Sequence, residues 1–94
     1  MKRRRTDLWA EARAVQTLKD AHEALSRLIP APNADERVWR TFYLRSARIY
    51  AQVAEVDRGH HHEALYWANR ERQKGEQIEP AGGGDAAEEF DVDA

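Results

Sequence analysis

Apolar residues recur along this chain at intervals of three and four, and prolines and glycines interrupt them. Over about 7–29, Leu8, Ala12, Val15, Leu18, Ala21, Leu25, Leu28 and Ile29 fall on one face, with His22 among them. That period is the signature of an amphipathic helix. Asp7 is placed to cap its start, a carboxylate accepting from free backbone N–H groups. Thr17 and Asp20 also stand in a capping-box arrangement, which allows a short arm followed by a separate helix. Pro30 and Pro32 then stop any helix, because each removes a donor and restricts the residue before it.

A second helix is expected over 34–57. Trp39, Phe42, Ser46, Ile49, Val53 and Val56 follow one another at spacings of three and four. Val38, Tyr43, Ala47, Tyr50 and Ala54 widen the stripe, as in a central helix packed on two neighbours. Asn33 or Asp35 supplies the cap, and Gly59 suits a left-handed C-terminal position. A third helix over 60–78 has a thinner stripe, in which 69–74 reads mostly as solvated face and a loose hold is expected. Pro80 closes it. No alternating strand pattern is present. The expected fold is all-α: a three-helix bundle, or a helical hairpin preceded by an N-terminal helix.

Charge divides the 94 residues into three parts. Lys2, Arg3, Arg4 and Arg5 form a basic arm over 1–5. Residues 6–79 form the helical domain. Residues 80–94 form a Gly-rich, acidic tail, expected to be disordered because it lacks core formers. The formal net charge of −2 therefore hides an arm of +4, and 79–94 carries six acids. No apolar run reaches the ~18 residues a membrane helix needs, so no membrane association is expected. The basic start runs into Asp7, Glu11 and Arg13 rather than an apolar segment, so no secretory signal is expected. The chain has no Cys, which excludes disulfides, thiol catalysis and Cys-ligated metals. These features fit a cytoplasmic protein.

The candidate chemistry is sparse. No Gly-rich phosphate loop, nucleophile elbow or paired-histidine protease motif is present, so no enzyme and no cofactor are expected. His60, His61 and His62 precede Glu63, but consecutive helical residues point about 100° apart. Only His60 with Glu63 has helical ligand spacing, and His22 would be the further ligand from the first stretch. The plainer reading is a polar loop-to-helix junction. The arm at Lys2–Arg5 suits nucleic-acid phosphates or simple solubility. Aromatics carry the best functional signal. Tyr66 and Trp67 are adjacent on a helix, and Trp9 sits beside Leu8, so these rings cannot all enter one core. Trp67, Tyr66, Trp9 and Tyr43 are the expected contact residues of an aromatic helical face that binds a protein, a second copy included. Phe90, set among acids in the tail, is a further expected anchor.

The segment 59–68, GHHHEALYWA, resembles that of a family of small uncharacterised bacterial helical proteins, and the likeness covers about 17–74. It implies a helical fold and carries no established activity. Gly59 with Glu63-Ala64-Leu65 is also similar to the second helix of a tetratricopeptide repeat, although the stretch between Tyr50 and Gly59 is several residues too long for one. That similarity implies a helical hairpin with a binding face.

Overall fold

A computed structural model of the chain describes residues 4–79. Among these residues the fold is all-α, without strands: α1 (Arg5–Arg13), α2 (Leu18–Ser26), α3 (Glu36–Val56) and α4 (His61–Gln77), with a 3-10 turn at Arg58–His60 between the last two. No helix among them is long and apolar enough to cross a membrane. The expected tail over 80–94, Phe90 included, lies outside the described residues, as do Lys2 and Arg3.

The first helical stretch is two helices, not one. Thr17 takes an extended backbone and its hydroxyl accepts the Asp20 amide at 3.1 Å, which starts α2 afresh. The arm-and-helix alternative is therefore the one realised. α1 begins at Arg4 as N-cap, so Asp7 lies in its first turn rather than capping it. There its negative charge still faces the positive end of the helix. At nine residues α1 is too short to persist alone. Burial of Trp9 and Ala12 holds it, and the Arg5 guanidinium donates to the Leu28 carbonyl at 2.9 Å.

α3 is the central element, capped by Asp35, whose carboxylate accepts from the Arg37 amide at 3.0 Å. Phe42, Ser46, Ile49, Tyr50, Val53 and Ala54 are buried along it. Val38 and Val56, expected on the apolar stripe, are exposed at 44% and 52%. Both stand near the ends of α3. Gly59 does not take the left-handed position expected of it: it lies inside the right-handed 3-10 turn. Asp57 occupies the C-cap instead.

α4 lies along α3 in the closest pairing of elements in the fold. Its buried residues are Ala64, Ala68, Glu71 and Gly75. The thin apolar stripe thus reflects small residues that admit a close backbone approach, not a loose hold. A Cβ on Gly75 would stand 2.6 Å from Leu44 Cδ2 and 2.8 Å from its Cγ, so any larger residue would have to displace the Leu44 side chain. The far end of α4 is tied back by Arg40, whose Nε donates to the Ile78 carbonyl at 3.2 Å.

Candidate functional site

The histidine run forms a junction. His60 Nδ1 lies 3.0 Å from Asp57 Oδ2, and His61 Nδ1 lies 2.7 Å from the Ala54 carbonyl. Asp57 also accepts the Leu18 amide at 2.9 Å. That backbone bond and then His60 hold the Asp57 carboxyl below its usual range. His22 sits elsewhere, 2.8 Å from the Tyr50 hydroxyl and edge-on to Trp67. The set His60, Glu63 and His22 is therefore not brought together. Among the described residues no group of three or more His, Asp or Glu side chains is placed to hold a metal ion.

Of the basic arm, Arg4 is exposed at the start of α1, and Arg5 is spent on the Leu28 carbonyl. A second cationic feature lies further along. Arg13, Arg45, Arg48 and Gln52 line a cleft of about 240 Å³ beside Trp9. Arg45 packs its guanidinium over the Trp9 ring, 4.9 Å from the centroid. Gln52 donates to the Arg13 carbonyl at 3.1 Å and so closes the end of α1.

The expected aromatic face divides. Trp9 is not at the surface: it is 5% exposed and packs against Phe42, with ring centroids 6.2 Å apart. Because α1 is a separate helix, its inward face is set independently of α2, and Trp9 enters the core while Leu8 only flanks it. Tyr66 is the opposite case, 60% exposed. Tyr43 and Trp67 are partly buried and meet in one groove, which α2, α3 and α4 build together.

That groove encloses about 280 Å³, just below the range usual for ligand pockets. Its walls are aromatic. Trp39 stands edge-on to Phe42 at 6.0 Å and beside Tyr43 at 5.6 Å, while Tyr50 stacks on Trp67 at 6.0 Å. The Trp39 indole is oriented by its Nε1–H, which donates to the Ala31 carbonyl at 3.2 Å. Two cations cover ring faces at the groove: Arg70 over Trp67 at 5.2 Å, and Lys74 over Tyr43 at 5.5 Å. Such placements favour the cation through the negative face of the ring.

Three polar groups are buried against these walls. Glu71 is 7% exposed and accepts from Arg70 at 2.7 Å. Burial, reinforced by the Glu71 charge and opposed by Arg70, pushes the Tyr50 hydroxyl up to about 12. Tyr50 therefore stays neutral and bonded to His22. Ser46 is 1% exposed, and its Oγ has no hydrogen-bond partner among the described residues.

The sequence contained partial signals for these residues. Ser46 is the polar member of an otherwise apolar stripe. Glu71 continues the 64, 68, 71, 75 spacing of the buried face of α4, although its charge had placed it among solvated residues. Nothing local marks Asp57 as a partner of Leu18. Comparison of the chain with protein-family models, with curated proteins and with solved structures finds no match.

Proposed function

We propose that this protein is a non-enzymatic interaction module whose α2–α3–α4 groove docks a short segment of a protein partner. The occupant is an acidic stretch with one aromatic anchor. A single observation carries this reading: an aromatic-walled concavity holds cationic groups at Arg70 and Lys74 and a buried hydroxyl, Ser46, without a partner. Aromatic walls favour an aromatic anchor through edge and offset contacts. Lysine and arginine beside them select carboxylate neighbours and reject basic ones. Lys74 is the better suited of the two, since Arg70 already serves Glu71.

The test uses ten-residue peptides in which an aromatic residue is flanked by acids, by lysines or by serines, titrated against the full chain. The acidic set should bind best, and Lys74→Glu should remove that preference. Equal binding of the acidic and basic sets would defeat the reading.

A second reading, association with nucleic acid, has its own observation: Arg13, Arg45 and Arg48 line one cleft. Phosphate contacts release counterions, so such a complex should weaken by orders of magnitude across a few-fold rise in salt. A peptide anchored by aromatic burial should weaken far less.

A further inference from the structure

We infer that the anchoring side chain read by the groove is a tyrosine, and that Ser46 is the residue that selects it. The inference rests on the groove being a docking site for an aromatic-anchored acidic segment.

Ser46 lies on α3 one turn from both Phe42 and Tyr50, and it is among the largest fully buried side chains of the fold. A serine within a helix commonly bonds back to the carbonyl four residues earlier. Ser46 Oγ makes no such bond here. Buried hydroxyls are almost always paired, because an unpaired one forfeits its bonds to water with nothing in return. Among the described residues lining the groove, it is the one buried side-chain polar atom left without a partner. Of the other polar groups there, Tyr50 is engaged with His22, Glu71 with Arg70, and Ser26 with the Glu23 carbonyl.

A hydroxyl both donates and accepts. A phenol does the same at the tip of a flat ring, whereas an indole N–H only donates and a phenyl ring does neither. A tyrosine ring lying against the aromatic walls of the groove would carry its hydroxyl towards Ser46 while a flanking carboxylate meets Lys74. A phenylalanine would fill the same walls and leave Ser46 unpaired. Sites that hydrogen-bond a ligand hydroxyl discriminate strongly against the analogue lacking it.

The probes are two synthetic peptides: DAAEEFDVDA, the sequence of residues 85–94, and the same peptide with tyrosine in place of its phenylalanine. Each is titrated by calorimetry against the full-length protein and against Ser46→Ala, with thermal melts to establish that the variant folds. The tyrosine peptide should bind the wild-type protein about tenfold or more tightly than the phenylalanine peptide. Ser46→Ala should erase that difference and leave the phenylalanine peptide unchanged. Equal affinities for wild-type protein would overturn the assignment of Ser46 while leaving the groove as a docking site. Failure of both peptides to bind would overturn the docking reading itself. Should Ser46→Ala fail to fold, Ser46→Cys, which keeps the size and loses most of the hydrogen bonding, takes its place, and equal wild-type affinities still overturn the assignment.

Discussion

Asp57 Oδ2, at the end of α3, accepts the backbone N–H of Leu18 at 2.9 Å and so caps the first turn of α2 from 39 residues away. Thr17 satisfies a second free donor of the same turn, at Asp20. One helix start thus has a local cap and a remote one, and the remote one also receives His60.

The carboxylate at Asp57 is held below its usual value of 3.8, so the sign of its pH effect follows. Its contribution to stability is fully present above that value and fades as pH falls through the lower folded-state value. Asp57→Ala should destabilise the fold at neutral pH. Asp57→Asn keeps an oxygen for the Leu18 amide and should cost less. Thermal melts should show the wild-type protein converging on the asparagine variant under acid conditions.

Tyr50 works in the other direction. Its hydroxyl is raised from 10.0 to about 12, so the folded state favours the neutral phenol. That stabilisation is whole below pH 10.0 and is lost as pH rises towards about 12. Tyr50→Phe should lose roughly 1 kcal/mol at neutral pH, because His22 is left without its 2.8 Å partner. It should also flatten the alkaline limb of a stability profile measured by urea unfolding.

Gly75→Ala tests the close approach of α4 to α3. Alanine is the better helix former by about 1 kcal/mol. Its Cβ would however meet Leu44 Cδ2 at 2.6 Å and Tyr43 Cβ at 3.3 Å. Moving Leu44 against Tyr43 is overpacking, which costs about 1–3 kcal/mol, so the variant should be modestly less stable despite its propensity. A lower urea midpoint would confirm it.

Trp9 and Tyr66 should separate cleanly. Trp9→Ala removes a buried ring and should cost about 3–5 kcal/mol, enough to undock α1. Tyr66→Ala, at an exposed position, should change stability by no more than about 0.5 kcal/mol. Paired denaturant curves would read both.

The helices were legible because α2 and α3 carry large apolar residues at helical spacing, and even the break before α2 was marked by Thr17 and Asp20. α1 misled in one respect: a stripe drawn straight from Leu8 to Ile29 assumes one axis, and the break at 14–17 gives two. The face of α4 was faint because Ala64, Ala68 and Gly75 bury little area and Glu71 is charged. The groove was illegible as a unit. His22, Ser46 and Trp67 come from three helices, and no local pattern brings them together. Ser46 was visible only as a polar interruption whose meaning depended on its surroundings.

The remote cap on α2 carries a consequence for the order of assembly. The α3–α4 hairpin is built from contacts near in sequence, which form early and fast. The Asp57 carboxylate reaches its place only when the turn that ends α3 exists. The Leu18 amide at the start of α2 is therefore satisfied only where the end of α3 is in place. The start of α2 is thus made 39 residues before the carboxylate that completes its cap.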